Sequence, residues 1–193
     1  MLHLKLPTDP RWADVAEKNI AEILIDHAYC EQKAATTCIS LIVEFPEKEG
    51  LAESLAPIVA EEWEHFEKVL AEMKRRGIKL GKARKDEYVN QLMAHITKGN
   101  SAEVRLLDKL LVCALIEARS CERFKMLWQN HSDPDLRQFY YEFMVSEAGH
   151  YTTFMDLARQ YLPKEKVAQR WQEFLKIEAE IIASLDLRED RIH

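Results

Sequence analysis

The chain has 193 residues, of which 47% are hydrophobic and 31% charged, and its formal net charge is −6. This length suits one domain with a sizeable core, so we predict a single domain over residues 1–193. Only five glycines and six prolines are present. Apolar residues do not alternate along the sequence, which favours an all-α fold. The acidic balance argues against indiscriminate nucleic-acid binding.

Helical periodicity predicts the first two helices. The first runs from Trp12 to Val43 behind the cap Thr8-Asp9-Pro10. The second runs from Leu51 to Arg76, with a kink or restart expected at Pro57 and a glycine, Gly77, just past its end.

A connection follows over residues 77–99, longer than a helical hairpin needs, so we expect it to cross the bundle and to contain a short helix around Lys85–Thr97. The third main helix should begin near Asn100-Ser101 and end at Asn130. The fourth opens at Ser132-Asp133-Pro134 and ends at Tyr161, and an additional C-terminal helix covers residues 164–184.

The apolar runs and the first residues of the sequence indicate where the protein is located, whereas its cysteines indicate no particular chemistry. Charges interrupt every apolar run before 18 residues, and the first residues lack the basic segment and apolar core of a signal peptide. We therefore expect a cytoplasmic protein with no membrane partner. Cysteines form no Cys-x-x-Cys pair, and we interpret them as small buried thiols. They are Cys30, Cys38, Cys113 and Cys121.

The most informative pattern occurs twice: a lone glutamate is followed, 31 and then 30 residues later, by a Glu-x-x-His motif. The six residues are Glu31, Glu62, His65, Glu117, Glu147 and His150. Residues three apart on a helix share a face, so each motif can present a carboxylate and an imidazole to one ion. All six lie in register with the apolar stripes of their helices. Buried carboxylates are costly without a partner, which argues against the alternative that they are ordinary solvated surface acids.

We therefore predict a dinuclear metal site in a four-helix bundle covering about residues 12–161. Glu62 and Glu147 are expected to bridge the ions, with Glu31 and Glu117 terminal or bridging. Ligation rich in oxygen, with one imidazole per ion, favours iron or manganese over zinc, and we expect two iron ions.

Several neighbouring groups compete with this assignment. Glu61, Glu64 and Glu122 lie off the stripes, and we interpret them as surface groups or as groups behind the ligands. His27 lies one turn before Glu31 on the same face. It is either a hydrogen-bonded core histidine or a further ligand.

The six residues look like the ligand set of the ferritin-like di-iron superfamily. More narrowly, four stretches resemble the bacterial tRNA 2-methylthio-isopentenyladenosine hydroxylase family. They are Asp26–Ala35, Glu61–Phe66, Leu115–Phe124 and Ser146–Tyr151. This resemblance implies an oxygen-dependent monooxygenase that hydroxylates the isopentenyl side chain of a modified adenosine in tRNA, with dioxygen as co-substrate. Because no Cys-x-x-Cys pair or dinucleotide-binding glycine motif is present, a separate ferredoxin or reductase is expected to supply electrons.

One basic segment agrees with a tRNA substrate. Residues 74–85 carry seven basic residues in twelve. They are Lys74, Arg75, Arg76, Lys79, Lys82, Arg84 and Lys85. Such a segment can bind phosphates, although a solvated helix end that balances the helix dipole would have the same composition. For the apolar tail of the substrate we predict a pocket lined by Leu110, Ala114, Phe143 and Phe154, which lie one or two turns from the ligands.

Other functions for the same ligand set stay open at this point. An iron-oxidising storage protein would form a large cage, which we do not expect here. A peroxidase of the rubrerythrin type, a quinone-ring hydroxylase and a metal-free structural bundle are further alternatives. The last of these leaves the inward carboxylates unexplained.

Overall fold

A computed structural model describes residues 2–99, 101–186 and 191–192, and regular structure in this part of the chain is entirely α-helical. The helices are α1 (Arg11–Lys18), α2 (Ile20–Glu44), α3 (Leu51–Arg75), α4 (Glu87–Ala94), α5 (Ala102–Asn130), α6 (Pro134–Tyr161) and α7 (Lys164–Ser184).

The chain divides into two compact units. The first unit contains the N-terminal residues through Ala13 and the chain from Asp86 through α7. The second unit contains Asp14 to Lys85 together with Arg191 and Ile192. That the whole chain folds as one domain remains a prediction.

In the second unit α2 packs against α3. Leucine and valine side chains such as Leu24 on α2 and Leu55 and Val69 on α3 are fully buried. The end of the described chain also belongs to this unit, because the backbone N–H of Ile192 donates to Asp26 Oδ2 over 2.8 Å. The chain end is thereby attached to α2.

In the first unit α5 packs along α6, and α7 packs against α4, α5 and α6. Aromatic rings fill the contact between α5 and α6: the ring centroid of Phe124 lies 5.5 Å from that of Tyr140 and 5.8 Å from that of Phe143. Apolar spacing of three and four residues puts these rings on one face of each helix, which is why the two helices pair.

A buried ion network crosses the first unit. The guanidinium of Arg119 on α5 is fully buried and donates to Glu178 on α7, 2.6 Å away, to Thr8 Oγ1 and to the carbonyl of Leu6. It also pairs with Glu122, whose carboxylate accepts from the N–H and hydroxyl of Thr8. Of the two interpretations offered for Glu122, that of a surface group is therefore wrong: it is 9% exposed. A buried arginine three residues earlier compensates its charge.

Two of the predicted helices differ from the observed ones. The first predicted helix is interrupted at Asn19 (φ −120°, ψ 32°), where the side chain donates to the carbonyl of Val15 instead of allowing the helix to continue. The second shows no restart, since α3 runs through Pro57. The third main helix begins where it was predicted: Asn100 lies outside the described residues, and Ser101 caps α5 by accepting from the N–H of Val104.

The other limits are confirmed. The short helix in the connection is α4, and Asp133 caps α6 ahead of Pro134. The additional C-terminal helix runs from Lys164 to Ser184, as predicted.

Candidate metal-binding site

The second unit contains a buried triad of one residue from α2 and two from α3. Glu31, Glu62 and His65 are 4%, 1% and 4% exposed. The Nδ1 atom of His65 lies 3.3 Å from Glu62 Oε2 and 3.5 Å from Glu31 Oε2. Each residue offers a ligand atom within 4.8 Å of the others. The spacing of three on α3 directs the Glu62 and His65 side chains to the same point, where Glu31 reaches them from α2.

The electrostatics of this triad indicate a shortage of positive charge. Burial, and next the charge of Glu62, raise the pKa of Glu31 well above its usual range. Burial by itself lowers the pKa of His65, but the contacts with Glu31 and Glu62 outweigh it and raise that pKa to about 9. Without a metal His65 therefore retains its proton at neutral pH. A bound cation would take the place of that proton.

The first unit contains a second buried triad with the same residue types. Glu117 comes from α5, and Glu147 and His150 come from α6 with the same spacing of three; they are 5%, 4% and 3% exposed. Their ligand atoms lie within 4.8 Å of one another, and His150 Nδ1 is 4.0 Å from Glu117 Oε2. The two halves of the sequence pattern thus each produce a compact group of two carboxylates and one imidazole.

Cysteines flank the lone glutamate of the first unit one turn before and one turn after it. Burial, and next the negative charge of Glu117, raise the pKa of Cys113 and of Cys121 to about 12. Both side chains are therefore neutral thiols, and the Cys121 thiol lies 3.3 Å from the carbonyl oxygen of Met144. Thiols rather than thiolates make poor metal ligands, which agrees with the prediction that these cysteines are buried apolar groups. The prediction of burial also holds for Cys38, whereas Cys30 is half-buried.

The donor set of each triad fits a metal ion. Two carboxylates and one imidazole provide hard oxygen ligands and a single nitrogen, the combination that iron and manganese accept and that structural zinc sites rarely use. Burial to 5% exposure or less also makes the carboxylates costly in the absence of a cation. We conclude that each triad is suited to bind metal.

Around these triads the structure places the other candidate residues in different environments. Glu61 and Glu64 are exposed, as predicted. His27 is fully buried on α2, and its Nε2 atom lies 2.6 Å from Glu31 Oε1. The sequence placed His27 on the correct face but could not give this contact.

The residues predicted to line a substrate pocket are all buried in the first unit. They are Leu110, Ala114, Phe143 and Phe154, with exposures of 0%, 0%, 2% and 1%. The ring of Phe143 also contacts that of Phe139, 4.7 Å away between centroids. Their contact with a substrate remains a prediction.

The basic segment of residues 74–85 lies in the second unit and is partly neutralised. Arg75 and Arg76 both pair with Glu72, and Arg84 pairs with Glu22 on α2. The four lysines of the segment are exposed; they are Lys74, Lys79, Lys82 and Lys85.

Two features fix the path of this segment against α2. The hydroxyl of Tyr29 donates to the carbonyl of Gly81 over 2.9 Å. Gly77 and Gly81 have φ values of 71° and 67°, in the left-handed region that glycine adopts without strain. Three of the exposed lysines, Lys79, Lys82 and Lys85, thus lie on an anchored loop, and Lys74 lies on the last turn of α3.

Among the described residues, we find no helix with both the length and the apolar character needed to cross a membrane.

Buried carboxylate and imidazole triads on long helices define an all-α, ferritin-like protein with metal-binding groups, and comparison with known proteins is consistent with this class. The chain belongs to the tRNA-(MS[2]IO[6]A)-hydroxylase (MiaE) family, whose profile matches residues 1–193.

Two curated relatives carry the name tRNA 2-(methylsulfanyl)-N(6)-isopentenyladenosine(37) hydroxylase. The relative from Pseudomonas putida is 37% identical over 190 residues, covering 98% of this chain and 91% of its own. The relative from Salmonella typhimurium is 29% identical over 241 residues, covering 98% of this chain and 87% of its own.

A solved structure is also similar: Protein 43 with aldehyde deformylating oxygenase activity from Synechococcus. Its TM-score is 0.93 at 38% identity, and the match covers 98% of this chain and 94% of that one. This likeness confirms the predicted fold class, all-α and ferritin-like.

Proposed function

We propose that the protein is a dioxygen-dependent hydroxylase of the isopentenyl side chain of 2-methylthio-isopentenyladenosine in tRNA. The observation that carries this proposal is the family match over all 193 residues of a chain whose repeated ligand pattern forms two buried triads. The names of the two bacterial relatives supply the substrate class.

Each triad would hold one of two iron ions. In the second unit the ligands would be Glu31, Glu62 and His65, and in the first unit they would be Glu117, Glu147 and His150. When bound, the iron ions would supply the reduction of dioxygen that hydroxylation of an unactivated C–H bond requires.

The protein's own side chains have three tasks in this reaction. The triad carboxylates hold negative charge at fixed positions, and His65 gives up its proton from Nδ1 or Nε2 when a cation enters. Burial of the ligands keeps bulk water from the reactive region. The apolar side chains of Leu110, Phe143 and Phe154 would contact the isopentenyl tail, which offers no hydrogen-bonding group.

The remaining components come from outside the chain. Electrons would be delivered by a ferredoxin or a reductase. The tRNA phosphates would bind the exposed lysines of residues 74–85, and we expect the enzyme to act in the cytoplasm without forming a storage cage.

The direct test is nucleoside analysis of tRNA that carries the isopentenyl modification, after incubation with iron-loaded protein, dioxygen and a chemical reductant. We expect a nucleoside heavier by one oxygen atom, and its label should come from ¹⁸O₂ rather than from H₂¹⁸O. Unchanged tRNA in the presence of two bound irons per chain would reject this substrate.

The Synechococcus structure favours a second candidate, because that protein is named for its aldehyde deformylating oxygenase activity and the two chains are 38% identical. The same iron-loaded preparation should therefore be offered a long-chain aldehyde. Release of formate with turnover faster than that on tRNA would favour this candidate. An iron-storage role would instead appear as a large oligomer that mineralises iron.

A further inference from the structure

One face of α2 carries three polar residues that do not belong to the metal-binding triad. They are Glu22, Asp26 and Tyr29, spaced by four and then three residues, so they follow one line along the helix. This line is turned about 140–180° away from Glu31 around the helix axis. Asp26 is only 4% exposed, and a buried carboxylate is costly unless other groups bond it.

Two of these residues contact the loop of residues 77–85 directly. The hydroxyl of Tyr29 donates to the carbonyl of Gly81 over 2.9 Å. The carboxylate of Glu22 pairs with the guanidinium of Arg84. The second half of the loop is therefore attached to α2 at two points.

Asp26 acts on the same loop through residues 191 and 192. Its Oδ2 atom accepts from the N–H of Ile192 over 2.8 Å, and its Oδ1 atom lies 3.6 Å from Nη1 of Arg191. Nη2 of that arginine donates to the carbonyl of Lys85 over 3.5 Å. Arg191 and Ile192 are 6% and 0% exposed, so this connection between α2 and the end of the loop is buried.

The start of the loop is held on α3 by backbone hydrogen bonds. The N–H of Ile78 donates to the carbonyl of Met73 over 2.9 Å, and the N–H of Gly77 donates to that of Lys74 over 3.1 Å. This pair of bonds is the Schellman arrangement that ends many helices at a glycine. Both ends of the loop are thus fixed.

The exposed lysines of the loop lie at or beside these points of attachment. Lys79 follows Ile78, Lys82 follows Gly81, and Lys85 itself offers the carbonyl that Arg191 binds. The backbone is held while the three ammonium groups face solution. Their relative positions are therefore set by contacts that involve none of the lysine side chains.

We propose that Tyr29 and Asp26 are positioning residues for tRNA, which fix the spacing of the loop lysines before the phosphates bind. A loop without these contacts would have to become ordered on binding, and that ordering would lower the affinity. This role rests on the tRNA substrate of the proposed function. It concerns the binding of the polyanion, whereas hydroxylation is a separate property.

The first test measures binding of tRNA that carries the isopentenyl modification over a series of salt concentrations. Tyr29→Phe removes one hydroxyl and should weaken binding about threefold, and the double variant Tyr29→Phe/Asp26→Leu should weaken it about tenfold. Because every lysine is still present, the slope of log affinity against log salt should stay within about 0.5 of the wild-type slope. Loss of a phosphate contact would instead lower the slope by about one.

The charge change in Asp26→Leu works against the expected result, which makes the test stricter. Removal of a negative charge by itself favours binding of a polyanion, whereas loss of positioning weakens it. Asp26→Asn removes the same charge but keeps an acceptor for the N–H of Ile192, so its affinity should lie closer to that of the wild type. Thr36→Val is the matched control, because that hydroxyl donates to the carbonyl of Gln32 within α2 over 2.9 Å. The control should bind tRNA as the wild type does.

The second test measures backbone order in the free protein with ¹⁵N-labelled lysine, and its first part needs no variant. In the wild type, the order parameters of Lys79 and Lys82 should be near 0.85, about the value of a rigid backbone. In the double variant they should fall below about 0.6, whereas that of Lys68 within α3 should not change. Values below about 0.6 in the wild type would show that the loop is not held and would overturn the proposal.

The binding data separate the remaining outcomes. Wild-type affinity in the double variant would overturn the positioning role while leaving hydroxylation of tRNA intact, and a reduced slope would overturn it by showing a lost phosphate contact. Affinity that responds to the variants as expected, with no hydroxylated nucleoside formed by the wild type, would reject the proposed reaction and keep the positioning role. Absence of tRNA binding by the wild type would reject both.

Discussion

At the scale of single residues, burial separates the proposed ligands from acids that neighbour them in the sequence. Glu62 is 1% exposed, whereas the Glu64 side chain is 63% exposed and pairs with Lys68 over 2.9 Å. Both are glutamates in the middle of the same helix, so helix propensity cannot distinguish them. Their different environments come from helical periodicity, which turns Glu62 inward with His65 and Glu64 outward to solvent.

This contrast gives a matched pair of variants on α3. Glu62→Ala should lower iron affinity by about 100-fold or more and abolish hydroxylation, because it removes a carboxylate that we propose as a direct metal ligand. Glu64→Ala should change both quantities by less than about twofold, since an exposed ion pair contributes little. Iron content after gel filtration and single-turnover product yield would measure the difference. Equal iron binding by the two variants would contradict the assignment of Glu62.

At the scale of helices, ion pairs inside the first unit tie separate elements together. Asp108 on α5 is fully buried and accepts from Arg170 on α7 at both oxygens, over 2.7 and 2.9 Å. It also accepts from the N–H and hydroxyl of Thr97, which follows α4. One carboxylate therefore connects α5, α7 and the end of the connection, and the position of α5 determines that of Glu117.

This cluster predicts a specific dependence of stability on pH. Burial would raise the pKa of Asp108, but the hydrogen bonds from Arg170 and Thr97 outweigh it and lower the pKa below 3.8. A depressed folded-state pKa stabilises the protein at pH values above the unfolded pKa, and this contribution is lost as pH falls through the folded value. Asp108→Asn should therefore lower the free energy of unfolding at pH 7 by about 2 kcal/mol or more, and the difference from wild type should shrink below about pH 4.

Urea unfolding at pH 7, 5 and 3.5 would measure this effect. Asp156→Asn is the control, because its side chain is 66% exposed and pairs with Arg159 at the surface. The control should show less than about 0.5 kcal/mol at every pH. A constant difference for Asp108→Asn across the range would show that its charge is not involved.

Helical periodicity predicted most of these elements and both triads, because a stripe of apolar residues with in-register glutamates and histidines is a local property of the sequence. It failed where the structure depends on residues far away in the sequence or on side chains that compete for backbone hydrogen bonds. The break at Asn19 depends on a side chain that bonds the backbone of Val15, and the burial of Glu122 depends on Thr8, more than a hundred residues away. The contact between His27 and Glu31 needed a distance, since periodicity gives a shared face but not the direction of each oxygen.

At the scale of the whole molecule, the charge distribution is uneven. The chain carries 33 acidic and 27 basic residues, yet seven of the basic residues lie within residues 74–85. Three arginines of that segment are paired with glutamates, so the exposed lysines provide its charge toward solution. In a protein of net charge −6, such a local patch can attract a polyanion that the rest of the surface repels.

If tRNA binds there, removing two of these lysines should weaken binding in a salt-dependent manner. In the double variant Lys79→Ala/Lys82→Ala we expect the slope of log affinity against log salt to fall by about two, because about one counterion is released per phosphate contact. The KM for tRNA should rise while kcat and iron content stay the same, since neither lysine belongs to a triad. The control is Lys164→Ala/Lys166→Ala at the start of α7, which changes the net charge equally at exposed positions. An equal loss of tRNA affinity in both double variants would mean that net charge, rather than the segment of residues 74–85, governs binding.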